Sequence, residues 1–104
     1  MSKKILQINL RFNVPAGEMV KEFNGAANPI AAVPGLKWKI WIMNEKQSEA
    51  GGIYLFEDDT SLKSYIEGPI VARLKANKAV SDITVKSFDV VEGPTALTRG
   101  PVKA

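Results

Sequence analysis

Leu36-Lys37-Trp38-Lys39-Ile40-Trp41-Ile42-Met43-Asn44, then a polar run from Glu45 to Glu49, then Gly51-Gly52-Ile53-Tyr54-Leu55-Phe56-Glu57: the fold turns on this stretch. Its first part alternates with the period of a strand, the polar run reads as a hairpin loop, and Gly51-Gly52 opens a further strand from Ile53 to Glu57. Directly opposed residues of a hairpin share a face, and a slip of one residue inverts every side chain. Matching Ile53 and Leu55 with Ile40 and Ile42 puts Trp38 on the same face. Lys37, Lys39, Trp41 and Met43 then share the other with Tyr54 and Phe56. The aliphatic face is expected beneath the helices. The aromatic face, exposed in a free subunit, is expected to be covered by a second copy, because an apolar patch of that size marks an interface.

Working outward, Leu6, Ile8, Leu10 and Phe12 alternate with Gln7, Asn9, Arg11 and Asn13, so residues 4–13 form the first strand. Met19, Phe23, Ala26 or Ala27, and Ile30 are spaced as on a helix. Pro29 fits poorly inside one, so Asn28-Pro29 reads either as the start of a second short segment or as a kink. Pro34-Gly35 suits the centre of a type II turn. Beyond the hairpin, Asp58 to Ser61 offer caps for a helix with Leu62, Tyr65 and Ile66 on its inner stripe. Gly68-Pro69 interrupts it, and the pattern resumes through Ile70, Val71, Leu74 and Ala76. A last strand spans about Asp82 to Val91. The order β-α-β-β-α-β is the split βαβ, or ferredoxin-like, arrangement of an α+β domain. It predicts a four-stranded antiparallel sheet in the order 4-1-3-2 with both helices on one face. Residues 1–91 are expected to form this subunit and 92–104 a C-terminal tail acting as a dimer arm.

The 104 residues include no cysteine and no histidine. That removes disulfides, thiolate nucleophiles, imidazole metal ligands and Ser–His or Cys–His relays. The acidic residues are scattered, with no calcium-loop pattern, so no metal site is expected. A net charge of +3 is too mild for the dense basic stripe of a nucleic-acid binder. No apolar run reaches the length of a membrane span, and Met1-Ser2-Lys3-Lys4 leads straight into strand alternation. A cytoplasmic location, with no membrane partner, is the expectation.

Leu6-Gln7 through Phe12-Asn13, Pro34-Gly35-Leu36-Lys37-Trp38-Lys39-Ile40-Trp41 and Glu49-Ala50-Gly51-Gly52-Ile53-Tyr54-Leu55-Phe56 resemble the YdhR-type monooxygenase family. Ala72-Arg73-Leu74-Lys75 and Phe88-Asp89-Val90 extend the likeness, which runs to about Val91. The resemblance implies a homodimeric α/β barrel and kinship with cofactor-free oxygenases that act on small aromatic, phenol- or anthrone-type polyketides. The carbanion of such a substrate passes an electron to dioxygen itself, so no cofactor is expected. The protein's task would be to bind a flat molecule, favour its ionised form and exclude water.

Trp38, Trp41, Tyr54 and Tyr65 are the candidates for stacking on, or hydrogen bonding to, such a molecule, and Arg73 for holding its anion. Core packing is the competing reading for each aromatic, and a surface ion pair with Glu67 or Asp59 for Arg73. By register Trp38 and Trp41 lie on opposite faces, so both line one pocket only if the strand is bulged. Glu45 and Glu49 flank the hairpin loop and read as solvated. A non-catalytic dimer that binds small molecules is the alternative function. An RNA-recognition module shares the strand order, but its third-strand motif laid on Ala50 to Glu57 fails at Ala50, Gly52, Ile53 and Glu57.

Overall fold

The computed structural model describes residues 3–103. Met1, Ser2 and Ala104, at the ends of the two expected segments, lie outside the described residues. The elements are β1 (Lys4–Phe12), α1 (Ala16–Ala31), β2 (Leu36–Asn44), a 3-10 turn (Glu45–Gln47), β3 (Glu49–Phe56), α2 (Asp59–Ile66), α3 (Pro69–Ala76), β4 (Val80–Asp89) and α4 (Glu92–Leu97). The strands form one antiparallel sheet in the order β2-β3-β1-β4. This is the expected ferredoxin-like α+β arrangement, with its second helix in two pieces. No helix among the described residues is long and apolar enough to cross a membrane.

Local chemistry accounts for most boundaries. Gly35 takes a φ of 83°, and the Leu36 N–H donates to the Val33 carbonyl at 3.2 Å, which closes the Pro34-Gly35 turn. The Asp58 carboxylate accepts the Ser61 N–H at 2.8 Å and starts α2. Those bonds from Ser61 hold the Asp58 carboxyl below its usual range. Gly68 precedes α3 and Pro69 occupies its first turn, where a missing N–H costs nothing.

Three boundaries differ from expectation. Pro29 neither starts a segment nor ends one, because α1 runs unbroken past it to Ala31. The helix forfeits one backbone bond there, and the ladder resumes with Ala32 N–H on the Asn28 carbonyl at 3.2 Å. Burial of Ile30 in the main core holds that final turn in place. β3 begins at Glu49, so Gly51 and Gly52 lie inside the strand, each paired on both sides. β4 begins two residues early, at Val80, and passes a register shift against Asn9 and Arg11, where Asp82 has a φ of 51°.

The larger correction concerns the two faces of the sheet. The hairpin register has the expected parity, with Ile40 opposite Ile53 and Lys39 opposite Tyr54. The faces are exchanged, however. Leu6 pairs with Tyr54, Ile8 with Gly52 and Leu10 with Ala50, so β1 carries the aromatic side of the hairpin into the core. Leu6, Ile8, Tyr54 and Phe56 pack against Ile30 of α1, Leu62 and Tyr65 of α2 and Val71 of α3. A second cluster joins Leu10, Phe12 and Ala50 to Met19. Helices α1, α2 and α3 therefore cover the aromatic face.

Trp38, Ile40, Ile42, Ile53 and Leu55 lie on the other face, where Ile40 is 51% and Phe88 46% exposed. The tail returns to one end of it. There the Trp38 indole N–H donates to the Pro101 carbonyl at 2.8 Å, the Lys3 ammonium bonds the Val102 carbonyl, and Val102 is buried. Leu55, the cross-strand partner of Trp38, is buried as well.

Candidate functional site

Between the aromatic face and the helices the packing leaves a cavity of about 290 Å³. Its floor is Ile8, Lys39, Trp41, Gly51, Gly52 and Tyr54 from the sheet. Its walls are Met19, Phe23 and Ile30 from α1, Tyr65 from α2, and Val71 and Leu74 from α3. The exposed side chains of Glu22 and Arg73 mark its solvent side. There Asn77 donates to Glu22 at 2.9 Å and ties the end of α3 to α1. An apolar cavity of about 150 Å³ already accommodates benzene, so this one, about twice as large and open on its solvent side, has room for a flat molecule of two or three fused rings.

The Tyr54 and Tyr65 hydroxyls are 3.0 Å apart and satisfy each other inside the core. Their rings are tilted with centroids 5.2 Å apart, and Phe56 packs against both. Burial pushes both phenols up, and for Tyr54 the neighbouring Tyr65 adds to the shift. Both are neutral at physiological pH and serve as hydrogen-bonding groups rather than bases. Trp41 packs on Phe23 with centroids 5.0 Å apart, which fixes its ring over α1.

Lys39 lies among these rings. Its Nζ is 3.3 Å from the Trp41 ring centroid and 4.5 Å from that of Tyr54. Among the described residues no carboxylate lies within ion-pair distance of it. The aromatic faces favour its cation, yet desolvation dominates and pushes the amine down to about 7. Gly52 makes this placement possible, since a Cβ there would meet Lys39 Cε at 2.4 Å. The lysine stem occupies the groove that a side chain at position 52 would fill.

Four of the five sequence candidates converge on the cavity: Trp41, Tyr54, Tyr65 and Arg73. Trp38 lies on the opposite face, bonded to the tail. The surface pairing considered for Arg73 does not form among the described residues, and Asp59 instead bonds Lys63 at 3.0 Å. Glu45 is exposed and Glu49 half-buried. Lys39 was absent from the candidates. The available signal was its place on the same strand face as Trp41 and Tyr54, beside a glycine on the neighbouring strand.

The depressed Lys39 amine has a direct consequence for stability. In the unfolded chain it keeps its ordinary value of 10.5, so between about 7 and 10.5 the unfolded state holds a proton that the folded state has released. Stability contributed by this group is therefore complete above 10.5 and is lost as pH falls towards 7. Thermal unfolding followed by circular dichroism should show the wild type gaining stability from pH 7 to pH 10. Lys39→Met should remove the slope and stabilise the protein at pH 7 by on the order of 3 kcal/mol. Parallel pH profiles for the two proteins would show that Lys39 is solvated.

The family model described as "Putative mono-oxygenase ydhR" matches residues 5–101 of this chain. Among solved structures, the NE2512 protein of unknown function from Nitrosomonas europaea superposes with a TM-score of 0.76 at 20% identity, over 89% of this chain and 93% of that one. SnoaB, a cofactor-independent oxygenase from Streptomyces nogalater, gives a TM-score of 0.72 at 15% identity, over 88% and 96%. The heme-degrader MhuD from Mycobacterium tuberculosis gives 0.63 at 19% identity, over 84% and 95%. Likeness at these identities establishes the fold. No curated protein sequence matches the chain significantly.

Proposed function

This chain belongs to the family described as "Putative mono-oxygenase ydhR", and from that membership we propose that it is a cofactor-free monooxygenase acting on a small phenol- or anthrone-type aromatic molecule. The observation that carries the reading is the cavity itself: apolar, aromatic-walled, and supplied with cationic groups that suit an anion. Trp41 is proposed to stack on the substrate, the one remaining O–H donor of the Tyr54–Tyr65 pair to hydrogen bond its oxygen, and Arg73 to attract its anionic form at the entrance. Once the substrate has lost a proton, its carbanion reduces dioxygen, and the walls exclude water that would quench the anion. Trp38 is assigned a different task, anchoring the tail. A cytoplasmic setting belongs to the same proposal.

Oxygen uptake with anthrone and a panel of one- and two-ring phenols, in buffer treated to remove metals, tests the reading. Uptake by the wild type supports it. Tight binding of one member without uptake by any would instead make the protein a non-catalytic binder. Arg73→Ala should weaken an anionic aromatic ligand by roughly tenfold, about one lost charge-assisted contact. Unchanged affinity would return Arg73 to the ordinary surface.

The open face of the sheet is proposed to pair with a second copy into the α/β barrel. Exposed Ile40 and Phe88, with half-buried Ile42 and Ile53, form the patch to be covered. The C-terminal arm that begins at Glu92 is proposed to join that interface through Leu97, 82% exposed, beside the exposed Val91 that precedes it. Light scattering at micromolar concentration should give twice the chain mass, and a stable monomer would end the dimer proposal.

A further inference from the structure

We infer that Lys39 is the proton acceptor of this cavity, taking a proton from a weakly acidic C–H or O–H of an aromatic molecule that lies against Trp41 and Tyr54. The floor places the amine beside the two rings that a flat ligand would touch. A base in this cavity must lie within reach of such a ligand, hold a free electron pair near neutral pH, and have no competing partner. The ionisable groups facing the cavity are Glu22 of α1, Lys39 of β2, Tyr54 of β3, Tyr65 of α2 and Arg73 of α3. Glu22 is bonded to Asn77 on the solvent side. The tyrosines are bonded to each other and stay protonated, and arginine keeps its proton throughout. Lys39 alone combines burial, proximity and an amine that is substantially neutral at pH 7 to 8.

The inference rests on the oxygenase reading for its later steps. The Lys39 electron pair takes the proton as the substrate C–H bond breaks, and the pair from that bond stays on the ring as an enolate or phenolate. This anion faces the new ammonium within the cavity. Dioxygen accepts two electrons from the carbanion as the C–O bond forms, and the ammonium returns its proton to the peroxide. Loss of the second hydrogen on that carbon expels water as the O–O bond breaks. A methylene and one dioxygen thus become a carbonyl and one water, with Lys39 regenerated.

The test uses 4-nitrophenol, whose phenolate absorbs in the visible, together with oxygen uptake. Bound to the wild-type protein, the dye should ionise about one pH unit below its free value, because the ammonium lies against the anion. Lys39→Met should abolish that shift and reduce any turnover by roughly 100-fold. Lys39→Arg, permanently charged, should keep the anion bound yet lose turnover and its rise through pH 7. Failure of the dye to bind overturns the assignment. So does equal ionisation in wild type and Lys39→Met, or turnover in Lys39→Arg with the wild-type pH profile. Dye ionised by Lys39 with no oxygen uptake from any substrate upholds the base and overturns only the oxygenase reading.

Discussion

Gly51→Ala should lower the thermal midpoint by roughly 15 °C. A Cβ at position 51 would stand 2.0 Å from the Ile8 carbonyl oxygen and 3.0 Å from the Asn9 Cα. Both atoms belong to the backbone of β1, the strand paired on both sides at the centre of the sheet. A flexible side chain would move aside, whereas a strand held in two ladders cannot do so without losing hydrogen bonds. The cost is about 3 kcal/mol, the upper end of ordinary overpacking, against a domain stability of about 5–15 kcal/mol. A midpoint within a few degrees of wild type would mean that β1 and β3 are not so closely apposed.

Gly52→Ala, one residue along, should have the opposite character. Its Cβ would meet Lys39 Cε at 2.4 Å, Tyr54 Cε1 at 3.2 Å and Lys39 Nζ at 3.3 Å. The nearest obstacle is the far end of a flexible side chain, so the lysine should move out and the fold should persist. Outside the cavity the amine regains its ordinary value and its solvation. At pH 10 stability should therefore change by less than about 1 kcal/mol, the scale of substitutions that meet only mobile side chains, whereas at pH 7 it should rise as in Lys39→Met, because the same desolvation cost is relieved. The pH-dependent slope and the ionisation of bound 4-nitrophenol should both disappear, with roughly 100-fold loss of any turnover. A Gly52→Ala protein that still ionises the dye as wild type does would place the active amine elsewhere.

These two glycines also show how far the sequence could be read. Element order, hairpin parity and the Pro34-Gly35 turn were legible because each is local: alternation, register and a positive φ are written in consecutive residues, and the element order then implied the strand order. The choice of which hairpin face meets the helices is not local. Parity leaves two mirror assignments, and the aliphatic character of Ile40, Ile42, Ile53 and Leu55 favoured the wrong one. The deciding facts were the pairings of Leu6 with Tyr54 and Ile8 with Gly52, which tie the aromatic side to the buried face of β1. Pro29 misled for a similar reason, since its local cost is outweighed by the burial of Ile30.

The candidate site was legible in the same sense, as a set of residues that the fold brings together. Trp41, Tyr54, Tyr65 and Arg73 meet at one cavity although they come from four elements. Lys39 escaped because a lysine between two tryptophans in a strand reads as a solvated stem. Its burial depends on the missing side chain at Gly52, on the neighbouring strand. A paired glycine in the middle of a strand is thus a signal for what fills the space beside it, as well as for backbone contact.

The most direct test of the account is the fate of labelled dioxygen. Wild-type protein given ¹⁸O₂ and the best-bound phenol or anthrone of the panel should yield a carbonyl product carrying one labelled oxygen, with the second in water. The same reaction with Lys39→Arg should yield almost none. Label that enters the product only from H₂¹⁸O, or a tightly bound panel member that consumes no dioxygen, would contradict it.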